Sequence, residues 1–218
     1  MKTTNYYIPG LLILFSIFYC VPPAYTQNLT DSFKDIRDGQ VYKTIKIGDQ
    51  WWFAENLNFD TKSSWWYDDD KENGKNYGRL YTWNAAVIAC PVGWQLPTDN
   101  DWQQLEQHIG LPETELQKKG WRGDTINMAS KFDWLSKNNS MTSPSLNVLP
   151  AGYRKHMQIA FFIHAISFDN MGQKAGFWSS TKIGGNAYYR FFETGKSGIY
   201  RYNYFRKAGF CVRCIKNK

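Results

Sequence analysis

Beyond its first 26 residues the 218-residue chain has no long aliphatic run, and it is poor in the residue types that usually carry chemistry. Its three histidines, His108, His156 and His164, stand at no metal-ligand spacing. No G-x-S-x-G, H-E-x-x-H or phosphate-binding glycine loop occurs, so the chemistries borne by those motifs are excluded. The acidic run DDDKENGKN fails as a calcium loop. Counted from Asp69, an EF-hand needs oxygen at its third position and finds Lys71, and its twelfth position is Leu80. The run reads as a solvated acidic loop. Neither an internal repeat, a coiled coil nor a low-complexity tract is present, which leaves one ordinary folded domain as the expectation.

The chain opens MKTTNYYIPGLLILFSIFYCVPPAYTQ. Lys2 is a basic start, residues 8–21 are an apolar core, and Ala24-Tyr25-Thr26 is a small-residue cleavage pattern. That is the grammar of a secretory signal peptide over 1–26. The apolar run is about 14 residues, short of the ~20 that span a bilayer, so no transmembrane span is expected in the mature chain. Lipidation at Cys20 is the minority alternative, because Tyr19 stands where such signals want a small residue. Removing 26 residues from 218 leaves 192, enough for one domain with a sizeable core. Segment 27–38 is polar and unpatterned and reads as a leader; 39–218 reads as the domain.

Export admits disulfides, and Cys90, Cys211 and Cys214 remain, an odd count that leaves one thiol over. The net charge of +7 would suggest nucleic acid in an intracellular protein. Outside the cell it suits anionic glycans, lipid headgroups or acidic proteins, or simply a soluble surface. Aromatics are abundant, at 10 Trp, 14 Tyr and 14 Phe. With no aliphatic runs available, most of them must form the core.

DGQVYKTIKIGDQWWFAENL reads as a β-hairpin: Val41, Ile45 and Ile47 alternate with polar residues, Gly48-Asp49 turns, and 51–54 begins the return strand. TKSSWWYDDDKENGKNYG reads as a loop, and GRLYTWNAAVIAC as a short helix. In ACPVGWQLPTDNDWQQLEQHIG, Thr98 is a good N-cap, and Asp99 and Asp101 suit the helix dipole. Trp102, Leu105 and Ile109 recur at helical spacing, and Gly110 closes the helix. His108, beside its polar face, is expected in solvent. LPETELQKKGWRGD, SKNNSMTSPS and AISFDNMGQKAG read as long connections. GFWSST, NAYYRFFET, GIYRYNYFRK and GFCVRCIK are short β-prone runs. The sum predicts an α+β domain with two short helices, short antiparallel strands and long irregular loops.

Six of these blocks, DGQVYKTIKIGDQWWFAENL, YGRLYTWNAA, ACPVGWQLPTDNDWQQL, LPAGYR, GFWSST and GFCVRCIK, stand in the order seen in the Fibrobacter succinogenes major paralogous domain family. The resemblance covers about residues 35–216. It implies an exported protein of Bacteroidetes-type bacteria and a C-type-lectin-like fold, distantly similar to formylglycine-generating-enzyme-type domains. It implies a fold more readily than a function. It also implies a disulfide between Cys90 and Cys214, which leaves Cys211 as a free thiol. Many relatives carry a second cysteine pair, and Trp66 and Gly74 stand in its places here. Their loss together implies a freer 66–74 loop. The lectin motifs Glu-Pro-Asn and Gln-Pro-Asp are absent, and Trp83-Asn84 is followed by Ala85, which disfavours calcium-dependent sugar binding.

The functional expectation is a non-catalytic binding module without cofactor or metal. It engages an envelope or surface protein, or a glycan, in the periplasm, at the outer membrane surface or outside the cell. Trp65, Trp66 and Tyr67 in SSWWY are the candidate ligand contacts, since flat aromatic faces stack on sugars and fill partner pockets. Equally, either Trp65 or Trp66 could fold back over the core. RYNYFRK mixes cations with aromatics and is read either as an acidic-partner surface or as strand alternation with Tyr inward. Two alternatives stand beside the module: a subunit of an outer-membrane or surface assembly, and a formylglycine-generating-type oxidoreductase using Cys211. Against the latter, CVRC lies in a predicted strand, whereas redox CxxC pairs sit at helix N-termini.

Overall fold

The alternation in VYKTIKI and the Gly48-Asp49 pair fold as the hairpin they predict. The computed structural model describes residues 30–126, 129, 146–160 and 163–217, with Met1. The proposed signal segment with Cys20, and SKNNSMTSPS, lie outside the described residues. Strands β1 (Thr30–Lys34), β2 (Val41–Ile47) and β3 (Gln50–Phe53) run antiparallel in succession, with Ile47 opposite Gln50. Gly48 has φ 58°, the left-handed backbone a two-residue hairpin turn requires. β1 falls within segment 27–38. β2 buries Tyr42 and Thr44 on one face and Ile45 and Ile47 on the other, while Val41 is exposed.

The ribbon of β4 (Ser64–Trp65) and β5 (Leu80–Tyr81) encloses a 3-10 turn (Tyr67–Asp69) and helix α1 (Lys71–Tyr77). The supposed loop 61–78 is therefore partly helical. Asp70 caps α1 by accepting the Glu72 N–H, and Asp68 and Asp69 each turn the chain at φ 54°. Helix α2 (Trp83–Ala89) is capped by Thr82. Short β6 (Trp94–Gln95) leads to α3 (Asp99–His108), where Thr98 and Asp101 form a reciprocal capping box. Then come α4 (Glu113–Leu116), β7 (Gly120–Arg122) and a 3-10 turn (Asp124–Ile126). β8 (Ala151–Ala160), β9 (Ile163–Met171), β10 (Lys174–Ile183), β11 (Asn186–Glu193) and β12 (Ile199–Phe205) follow, and β13 (Ile215–Lys216) ends the fold.

The expected α+β, C-type-lectin-like domain of two short helices and short strands is thereby corrected. The chain is mostly β, with 13 strands in three sheets among the described residues, and β8 to β12 run from 7 to 10 residues. AISFDNMGQKAG shows why pattern reading fell short. It is β9, a turn at Asn170 and Gly172 (φ 62° and 81°), and the start of β10. β9 is an edge strand paired with β8, and its residues from 165 onward are half-buried or exposed, so no alternation marks it.

One sheet has the order β1-β2-β3-β13-β6 and the other β7-β12-β11-β10-β8-β9. Helix α3 ties them together. Trp102 packs on Trp52 of β3 at 5.0 Å and on Phe177 of β10 at 6.0 Å between ring centroids. The buried indoles find carbonyls: Trp102 donates to Trp178, Trp178 to Tyr81, and Trp83 to Ser179. GFCVRCIK threads between the sheets, with backbone hydrogen bonds to Tyr81, Gly176, Phe53 and Leu57. Cys211 lies in one core cluster and Cys214 in the other. The disulfide joins Cys90 at the end of α2 to Cys214, 124 residues away.

The acids of α3 do more than meet the helix dipole. Asp99 accepts hydrogen bonds from Arg190 and Arg201, and Glu106 from Arg122 and Arg190. All five side chains are buried. Burial alone would raise the Asp99 carboxyl. Hydrogen bonds from Arg201 and Arg190, with their charges, outweigh that and hold it at about 2.

Candidate functional site

SSWWY does not present its three rings side by side. Tyr67 is buried against Phe168 at 5.3 Å, and burial pushes its hydroxyl upward, partly offset by the Met171 N–H that it accepts. Trp65 is half-buried under the Arg154 guanidinium, 3.7 Å above its ring. Trp66, also half-buried, turns into a groove beside α1. Its indole N–H donates to Asn58 Oδ1 at 2.9 Å, and Arg79 stacks on it at 4.4 Å.

Trp66 packs directly on Gly74. A Cβ at Gly74 would lie 2.3 Å from the indole. The two places where the resemblance implies a missing cysteine pair are thus in contact, and the indole fills the space between them. The expected freer loop is corrected to a pinned turn and helix.

The groove has two adjoining compartments of about 220 and 290 Å³, both lined by Gln40, Asn58 and Lys75. Trp66, Arg79, Asp38 and Asp60 line the larger, and Asn56, Asn76 and Arg213 line the smaller. The walls come from the β1–β2 connection, the stretch after β3, and α1. Gly78, at φ 73°, lets the chain pass against Asn56 and Leu57, where a Cβ would come within 2.9 Å of the Leu57 carbonyl.

Hydrogen bonds fix the wall. Gln40 Nε2 donates to Asp38 and to the Asn58 carbonyl. The Asn58 N–H donates to the Tyr42 hydroxyl, whose ionisation burial pushes up to about 12 despite that bond. Arg79 pairs with Asp60 at 2.7 Å. Arg213 forms no ion pair with a carboxylate among the described residues. It donates to Asn56 Oδ1 and to the carbonyls of Phe53, Leu146 and Asn147. Burial lowers it to about 10, with Cys211 and Glu55 opposing.

Cys211 is fully buried behind this wall and accepts a hydrogen bond from Asn56 Nδ2 at 3.4 Å. Burial pushes its thiol up to about 12, against the lowering effect of Arg213. His108 is exposed and lies over Gly48. No group of three or more metal-binding side chains converges among the described residues.

Of the predicted contacts, then, Trp66 alone lines this groove. Sequence reading missed Gln40, Asn58, Arg79 and Arg213. Of these only Asn58 had a signal, the paired amides of ENLNFD, which mark turns as readily as sites. Amides and carboxylates held in fixed planes beside an indole offer both donors and acceptors, the pairing that hydroxyl-rich ligands require.

No curated protein and no solved structure matches the chain. Residues 45–216 match the family model of the Fibrobacter succinogenes major domain. The match spans most of the sequence, from β2 to β13, and the chain belongs to the Fibrobacter succinogenes major domain family.

Proposed function

We propose that this protein is an exported, non-catalytic binding module whose groove takes a glycan at the bacterial cell envelope. The observation that carries the reading is the amide-rich wall around Trp66, with Gln40 and Asn58 at the junction of both compartments. A sugar hydroxyl donates and accepts at once, and a side-chain amide can answer both. The oxidoreductase alternative is disfavoured by a Cys211 that is buried, held protonated by burial, and next to a Cys214 already bridged to Cys90. Among the described residues no helix is long and apolar enough to cross a membrane.

A glycan array probed with the labelled protein, followed by titration of Gln40→Ala and Lys75→Ala proteins, tests the reading. Binding that weakens in both variants supports it. Binding unchanged in both, or no glycan captured, ends it.

A second reading, a subunit of a surface assembly, draws on the β8–β9 hairpin. Met157, Ile159 and Ile166 are exposed there, and β9 is an open sheet edge. Stoichiometric co-purification that Ile166→Lys abolishes would favour it.

A further inference from the structure

The six-stranded sheet buries charge as well as apolar groups on its inner face. Its inner face carries Arg190 and Arg201 into the buried network with Asp99 and Glu106. Alternation puts Tyr189, Phe191, Tyr200, Tyr202 and Tyr204 on the opposite face, while Tyr188 and Phe192 share the face of Arg190. Trp121, Tyr200 and Phe191 lie opposite one another across β7, β12 and β11, and Tyr202 lies opposite Tyr189. The rings form one connected surface. Tyr200 is 5.3 Å from Trp121, 6.1 Å from Tyr202 and 6.2 Å from Tyr189, and Phe191 is 5.8 Å from Tyr153. Trp121, Phe191 and Tyr200 are half-buried, and Tyr202 is 41% exposed.

Lysines surround this surface. Lys119 sits over Tyr202 at 5.6 Å, Lys196 over Trp121 at 5.8 Å and Lys174 over Phe191 at 5.9 Å. Of the three, Lys174 also meets Glu193, at 3.3 Å. A cation over an exposed ring contributes only about 0.5–1 kcal/mol, so a stacked ligand with its own anionic groups can displace the ammonium and then pair with it. Tyr189 anchors the row in the core cluster of Trp178 and Phe210, and Phe191 and Tyr200 pack against that cluster, which leaves Tyr202 and the open edges of Trp121, Tyr200 and Phe191 to meet a ligand.

We propose that this sheet face binds a polyanionic polysaccharide, its sugar rings stacking on Tyr200, Tyr202 and Trp121 while carboxylate or sulfate groups meet Lys119, Lys174 and Lys196. The charge decides the occupant. The ring surface suits any sugar chain, but three ammonium groups around it select an acidic one. The face and the groove share no residue, so each proposal can fail without the other.

Affinity electrophoresis through gels containing polygalacturonate, dextran sulfate or neutral dextran tests it. The wild-type protein is expected to be retarded by at least one acidic polymer, and which one tells carboxylate from sulfate recognition. Tyr202→Ala should weaken retardation about tenfold, the order of one lost ring contact. Lys119→Ala/Lys196→Ala should weaken it and flatten its salt dependence. Gln40→Ala in the groove should leave it unchanged. The proposal is overturned by no retardation in either acidic polymer, or by equal retardation in neutral dextran. Retardation that salt abolishes and Tyr202→Ala leaves intact also overturns it, since net charge alone then accounts for the effect. Tyr202→Phe, which keeps the ring, should retain binding, and its failure alongside correct folding by circular dichroism would remove stacking from the account.

Discussion

At the scale of single residues, the Trp66–Gly74 contact and the Cys211 thiol make opposite demands on their surroundings. Gly74 leaves room for an indole, and any side chain there must displace it. Gly74→Ala is expected to destabilise the protein by about 1–3 kcal/mol, the range for overpacking, although alanine favours the helix itself. A urea midpoint equal to or above that of the wild type would show that Trp66 moves aside freely. Cys211 demands nothing of solvent. Its burial and the raised thiol predict that a thiol reagent leaves it unlabelled in the native chain at neutral pH and labels it once the chain is unfolded without reductant. Rapid native labelling would mean that the wall formed by Asn56 and Arg213 opens.

At the scale of elements, α3 is the piece most legible in the sequence and also the piece most incompletely read. Its cap, its start and its apolar stripe follow from LPTDNDWQQLEQH because each depends on neighbours within four residues. Thr98→Ala should cost about 1 kcal/mol, and a denaturant titration showing no loss would deny the cap its role. The Asp99 and Glu106 partners lie 84 to 102 residues away on β11 and β12, and 16 residues away on β7, and no local pattern announces them. Arg190 and Arg201 sit in alternating strands where charge normally points outward, so of the two readings of RYNYFRK the one with Tyr inward fails at buried Arg201 and exposed Tyr202. Long β8 and β9 were invisible for the related reason that neither needs a buried stripe. The network makes a pH prediction. Asp99 is held at about 2 against an ordinary 3.8, so its contribution is complete above about pH 4 and disappears as pH falls through about 2, worth about 2 kcal/mol. Asp99→Asn should remove that part of the acid dependence, and an unchanged slope of stability between pH 4 and 2 would place the acid sensitivity elsewhere.

At the scale of the whole molecule, two sheets, two core clusters and the candidate groove meet along GFCVRCIK. That run supplies Phe210 and Val212 to one cluster, Cys211 to the other, Arg213 to the groove and β13 to the five-stranded sheet, between β3 and β6. Local backbone bonds hold it at Phe53 and Leu57, but the disulfide is what ties it covalently to α2. A bridge across 124 residues restricts the unfolded chain far more than the folded one, an effect of roughly 4–5 kcal/mol on the chain-entropy account. Cys90→Ser should therefore lower the free energy of unfolding by an amount of that order, read from urea titrations of oxidised wild type and variant. A shift in midpoint with only a modest rise in slope would match a bridge that acts on the unfolded chain. A loss below about 1 kcal/mol would mean that the packing of Phe210, Val212 and Ile215 alone seats the run. The groove would then keep Arg213 in place in the reduced protein, and ligand binding there would survive reductant. A loss of the full size acts through the unfolded chain, so reductant should then weaken groove binding only in step with the folded fraction read by circular dichroism.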